Sequence, residues 1–226
     1  MTRAPRISAA ARLAGAAILT VVASAESLGA ERYDADLASS RVRIEGTSTL
    51  HDWHLEGRHV GGYLLVPEHE LASLWTNSGP SLHELAPTVQ VEIPVTSLMS
   101  GKRGMDETMR EALKATRYPV ITYRLESATV TMHQPTQAED AGGSFAIETT
   151  GVLTVAGVDR TMDIPMRVRR LSDRRVEVSG DTSLRMTEFG IKPPRAMLGT
   201  LRTGDEVHLH WTWVLVQGLI DHRDER

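Results

Sequence analysis

Alternation of apolar and polar residues with a period of two is the feature that most narrows what this chain can become. In "VQVEIPV", Val89, Val91, Ile93 and Val95 share one face, and Gln90, Glu92 and Pro94 the other. "VEVSGDTSLRM" sets Val176, Val178, Thr182, Leu184 and Met186 against Glu177, Ser179, Asp181, Ser183 and Arg185. "VHLHWTWVL" sets Val207, Leu209, Trp211, Trp213 and Leu215 against His208 and His210. Successive side chains of a strand point to opposite faces, so the pattern predicts strands with one buried face. Runs at 41–46, 59–66, 120–132, 145–155 and 161–169 bring the number of strands to about eight.

Short connections favour antiparallel neighbours. "AGVD" at 156–159 joins two alternating runs and offers Gly157 for a positive φ, and "RTGDEV" predicts a turn at Gly204 before the last strand. An all-β chain of this size must hide its sheet edges, and closure into a barrel does so more completely than a two-sheet sandwich. The predicted fold is therefore all-β, an extended antiparallel β-barrel.

Two segments break the alternation. Residues 67–88, "PEHELASLWTNSGPSLHELAPT", hold two short helix-compatible pieces around Asn77-Ser78-Gly79-Pro80 and predict a long loop or capping excursion. From Gly104 to Thr116, Met105, Met109, Ala112 and Leu113 recur at i, i+4, i+7 and i+8, which predicts an amphipathic helix of about three turns that Tyr118-Pro119 ends. On pattern alone such a stripe plugs one end of a barrel. At the mouth of a cavity, the unbranched methionines would line it and adapt to what it holds.

The chain opens with Arg3, Arg6 and Arg12, an apolar run from Leu13 to Val22 and the small-residue stretch Ala23-Ser24-Ala25. This reads as an export signal over 1–25, cleaved after Ala25, with a second small-residue site at Ala30. The apolar run is about half of what a spanning helix needs. The expectation is a periplasmic or secreted protein whose residues 26–226 form one domain. The chain has no cysteine, which excludes lipid attachment through cysteine, disulfides and thiolate chemistry. Its net charge of −4 becomes more negative once the three arginines are removed, which argues against a nucleic-acid partner.

"TSTLHDWHLEG", residues 47–57, is the densest cluster of functional side chains. Along a strand His51 and Trp53 point one way and Asp52 and His54 the other, so joint metal ligation by the two histidines would need a turn or bulge. The helical zinc pattern places histidines at i and i+4, whereas these are at i and i+3. His59, His69 and His83 lie on neighbouring segments with nothing to fix their geometry. No Gly-x-Ser-x-Gly elbow is present. The better reading makes His51 and Trp53 parts of a partly polar cavity wall, with Asp52 accepting backbone hydrogen bonds at a turn. Lys192-Pro193-Pro194-Arg195 reads as a solvated loop, or as a basic contact for a lipid head group or phosphate at the barrel rim.

Four segments, in order, resemble the YceI-like family of periplasmic polyisoprenoid-binding proteins: "RYDADLASSRVRIEG", "IPVTSLMSGKRGMDETMREALKATRYPVITYRLES", "GVLTVAGVDRTMDIPMRV" and "MTEFGIKPP". The resemblance runs from about Tyr33 to Val216, with a His-Asp-Trp variant at "STLHDWHLEG" and the 67–88 excursion as departures. It implies a lipocalin-like barrel holding an isoprenoid or other long-chain lipid. The candidate ligand contacts are Ile44, His51, Trp53, Val91, Ile93, Met105, Met109, Leu113, Tyr123, Leu125, Leu153 and Trp211. The expected role is a non-enzymatic lipid carrier with no catalytic residue, metal or cofactor, and with transient membrane contact as a further partner. The alternatives are a small hydrolase or isomerase using His51 and Asp52 at the cavity mouth, and a partner-binding module with a filled barrel. Nothing in the sequence sets an oligomeric state.

Overall fold

The computed structural model describes residues 30–67, 71, 74, 75, 84, 85, 87–133, 143–196 and 201–218. The expected signal segment at 1–25 lies outside them, as do His69 and His83. The elements are β1 (Ala30–Ala35), β2 (Arg41–Ser48), β3 (Trp53–Gly57), β4 (Gly61–Pro67), β5 (Glu84–Leu85), β6 (Thr88–Pro94) and β7 (Leu98–Met99). Then follow helix α1 (Arg103–Ala112), β8 (Val120–His133), β9 (Ser144–Val155), β10 (Val158–Ser172), β11 (Arg175–Arg185), β12 (Arg195–Ala196) and β13 (Leu201–Gln217).

Eight strands close into an antiparallel barrel in the order β1, β4, β6, β8, β9, β10, β11, β13, and β13 pairs back to β1. There are more strand segments than barrel positions because three long strands are broken. The lower part of β13 pairs with β2 and its upper part with β1, while β3 pairs with β2 and β4 with β1. In the same way β6 pairs with β4 and β7 with β3. The break between β1 and β2 is bridged chemically. Ser40, 2% exposed, accepts the Val214 N–H at 3.0 Å through its hydroxyl, and the Asp36 N–H donates to the Val214 carbonyl at 2.7 Å. The two backbone groups of Val214 thus keep partners where the ladder lapses.

The tight turn between β9 and β10 forms where the sequence places it, with Ala156 as well as Gly157 at positive φ (51° and 79°). A Cβ at Gly157 would collide with the Tyr118 ring. The turn predicted at Gly204 does not form. Gly204 lies inside β13, at an irregularity of the β2 pairing between Thr203 and Val207, with its backbone close against Thr47. A glycine inside a strand marks a bulge or close approach as readily as a turn.

The helix forms with the predicted apolar face but stops at Ala112, short of Thr116. Lys114 takes a left-handed φ of 55°, the Ala115 N–H donates to Arg110 at 2.9 Å and the Lys114 N–H to Glu111 at 2.9 Å. This pair of bonds is a Schellman ending, and it precedes the Tyr118-Pro119 stop. At the other end, the Asp106 carboxylate, 4% exposed, accepts the Ser100 N–H at 2.7 Å and the Ser100 hydroxyl at 2.6 Å, tying the helix to β7.

The Ser100 hydroxyl bond holds the Asp106 carboxyl below the ordinary aspartate value, as hydroxyl bonds from Ser39 and Thr187 do for Asp36 and Asp205. A carboxyl depressed in the native state stabilises it fully above the unfolded value, near pH 4, and that contribution is lost as pH falls through the native value. Asp106→Asn is expected to flatten part of the fall in stability below about pH 4, leaving the share of Asp36 and Asp205. Asp106→Ala should cost about 1–3 kcal/mol at pH 7. Urea denaturation at pH 7 and pH 3 checks both, and an unaltered pH profile in Asp106→Asn would refute the assignment.

Candidate functional site

The inward faces of the strands do not meet. They enclose two apolar chambers whose walls share Val42, Ile93, Leu153 and Leu209, so the chambers adjoin along the barrel axis. The inner chamber, of about 170 Å³, is walled by β4, β6, β8, β9, β10, β11 and β13, and Leu71 and Leu74 of the 67–88 excursion also line it. Among the described residues its polar side chains are Thr149 and Thr182, together with the Tyr123 hydroxyl and the indoles of Trp211 and Trp213. The Thr149 hydroxyl donates to the Ile164 carbonyl at 2.7 Å and lies 3.2 Å from the Tyr123 hydroxyl, so that pair is internally satisfied. Burial raises the Tyr123 pKa. Among the described residues the buried Trp213 N–H has no hydrogen-bond partner.

The helix-side chamber, of about 430 Å³, is bounded by Met105, Met109, Ala112 and Leu113 of α1 and by Leu98, Ile121, Val155, Phe189 and Ile191. The size of this chamber falls in the range of small-molecule sites. β7 and β8 do not pair, and the chain joining them is α1, whose apolar face helps wall the chamber where the ladder is absent. The helix therefore both plugs the barrel and lines its cavity.

Every residue named from sequence as a candidate contact lies in these walls. Val91, Tyr123, Leu125 and Trp211 line the inner chamber, Ile44, His51, Trp53, Met105, Met109 and Leu113 the helix-side chamber, and Ile93 and Leu153 both. His51 precedes β3 in the exposed turn after β2, which is fastened by Ser48 rather than by Asp52. The Ser48 hydroxyl donates to the His51 carbonyl at 2.6 Å, and the Leu50 and His51 N–H groups donate back to it at 3.4 and 3.3 Å. The indole of Trp53 donates to the Thr47 carbonyl at 3.1 Å. Among the described residues, no hydrogen bond joins the His51 ring to Asp52. His54 and His59 border a separate surface groove with Glu56 and Arg58, away from His51.

Sequence reasoning passed over two groups of residues that shape the walls. Phe189, 1% exposed, and Ile191 enter the helix-side chamber because Gly190 adopts φ 64° and the Ile191 N–H donates to the Met186 carbonyl at 3.1 Å. Their signal was the apolar pair flanking a glycine in "EFGI". The second group is glycine. A Cβ at Gly46, Gly151 or Gly180 would collide with the ring of Trp53, Tyr123 or Trp211 respectively. Gly46 stands directly opposite Trp53 in the β2–β3 ladder, and Gly180 opposite Trp211 in the β11–β13 ladder. Each ring lies over a neighbouring strand's bare backbone, which leaves the lumen open.

The sequence pattern of the YceI-like domain matches residues 33–215. Among curated proteins none matches the chain. Two solved structures share the fold at 17% identity and a TM-score of 0.58. One is a polyisoprenoid binding domain from Saccharophagus degradans implicated in plant cell wall breakdown, with 82% of this chain and 98% of that one covered. The other is BcnA of Burkholderia cenocepacia, with 80% and 99% covered.

Proposed function

This chain belongs to the YceI-like family, and we propose that it is an exported, non-enzymatic carrier that shields a long apolar chain of the polyisoprenoid or acyl class from water. The observation that carries the reading is the pair of adjoining chambers, whose inner part has, among the described residues, no charged side chain in its wall. Apolar cavities of this kind hold apolar guests in preference to water. Burial contributes roughly 0.8 kcal/mol per methylene, so about ten enclosed units gain several kcal/mol after association costs. The polyisoprenoid class is drawn from the Saccharophagus degradans domain of the same fold. Export is supported by the basic, apolar and small-residue succession of residues 1–25. Under this reading the wall residues named from sequence are contacts of the chain, and the methionines of α1 adjust to its kinks.

Native mass spectrometry of protein recovered from an exporting host, followed by organic extraction, tests both parts. The expected mass is that of a chain beginning at or near Glu26 and carrying an apolar adduct, which Met109→Asp should lose while strand content is kept. Material with Met1 intact would refute export. Repeated extracts without apolar ligand would refute the carrier.

A further inference from the structure

The two chambers differ in charge. Among the described residues, the inner wall contains no ionisable group other than the buried Tyr123, whereas the helix-side wall contains Lys102 and Arg195 together with His51. Among the described residues neither wall contains an aspartate or glutamate, although the chain has 29 acidic residues against 25 lysines and arginines. The acids nearest in the chain are turned elsewhere. Asp106 is engaged by Ser100, Asp205 by Thr187, and Asp52, beside His51, is in neither wall. Lys102 and Arg195 are both exposed, Lys102 as the residue that precedes α1 and Arg195 in β12, and both line this chamber.

We propose that this end of the lumen is a head-group site for an anion, in which Lys102 and Arg195 take the phosphate or carboxylate of a single-chain amphiphile while its tail runs past Ile93 into the inner chamber. The proposal rests on the carrier reading and adds to it a ligand class and a direction of entry. A tail-first insertion leaves the charge in contact with water and cations, and it puts no charge against the inner wall, where it would be unpaired. A cationic head group would meet only like charge here.

The test compares geranylgeranyl monophosphate with geranylgeraniol on delipidated protein, read through the fluorescence of the wall tryptophans Trp53, Trp211 and Trp213. The phosphate is expected to bind about tenfold more tightly at low salt, the scale of two partly exposed charge contacts. Lys102→Ala combined with Arg195→Ala should bring the two affinities together by weakening the phosphate, with far-UV circular dichroism reporting that the variant is folded. Lys102→Glu combined with Arg195→Glu should reverse the order. Inorganic phosphate should displace neither ligand, so displacement by it would assign the site to free phosphate and overturn the amphiphile. Equal binding of phosphate and alcohol by the unaltered protein, or a preference that survives the double alanine variant, overturns the head-group site and leaves the carrier standing. Binding of neither compound removes the carrier reading and this proposal with it.

Discussion

Ile93→Arg is expected to abolish retention of a long apolar ligand, whereas Glu92→Arg, one residue away, is expected to leave it unchanged. Ile93 lies on β6 opposite Ile121 and is shared by the walls of both chambers, so every ligand that spans them must pass it. An arginine there places an unpaired charge in a wall with no acid to answer it. The cost of such a charge, about 3–5 kcal/mol, corresponds to a loss of roughly 100-fold or more in affinity. Glu92 is exposed, and its carboxylate accepts from the Gln90 amide at 2.7 Å. Ligand titration followed by tryptophan fluorescence, with far-UV circular dichroism to verify the fold, separates the two. Equal effects of the two substitutions would show that the inward face of β6 is not a ligand surface.

Gly180→Val is expected to act in the direction opposite to strand propensity. Valine suits a strand better than glycine, so local preference alone predicts stabilisation. The geometry predicts the reverse. A Cβ at Gly180 collides with the Trp211 ring and comes within 3.0 Å of the Pro165 carbonyl oxygen, so either the indole swings into the lumen or the ladder shifts. Overpacking of this kind costs about 1–3 kcal/mol, a fall of roughly 2–12 °C in Tm for a domain of this size. The displaced ring should also occupy the inner chamber and expel ligand. Trp211→Ala in the Gly180→Val background removes the collision and is expected to restore part of both. An unchanged Tm with full ligand binding in Gly180→Val would show that the ring has room elsewhere.

Most of the barrel was legible because its signal is local. Period-2 alternation marks a strand wherever one face is buried, and in a barrel the buried face and the lumen face are the same, so naming Val91, Ile93, Leu125 and Trp211 as inward residues amounted to naming the wall. The helical stripe of α1 was legible for the same reason. What the sequence did not yield depends on register. The pairing of Gly46 with Trp53 and of Gly180 with Trp211 is known only when strands are aligned across the sheet. The breaks between β1 and β2 and between β6 and β7 are likewise invisible locally, because Ser40 substitutes for ladder bonds to a residue far along the chain. Gly204 was misread because glycine serves turns and close approaches alike. Asp52 was given the turn that Ser48 holds, because both residue types fasten turns and only coordinates show which one does.

The glycines beneath Trp53, Tyr123 and Trp211 carry a consequence for how such a protein diversifies. Each contributes backbone to the ladder but no side chain to the core, so the sheet does not depend on it for packing. An added Cβ at Gly46 meets first the atoms of the Trp53 ring, whereas at Gly151 and Gly180 it meets a backbone carbonyl oxygen as well as the ring. The bore of the barrel thus depends on three positions that act like shims, each altered by a single substitution. The width of the lumen can change in small steps while the strand frame shared with distant relatives stays fixed.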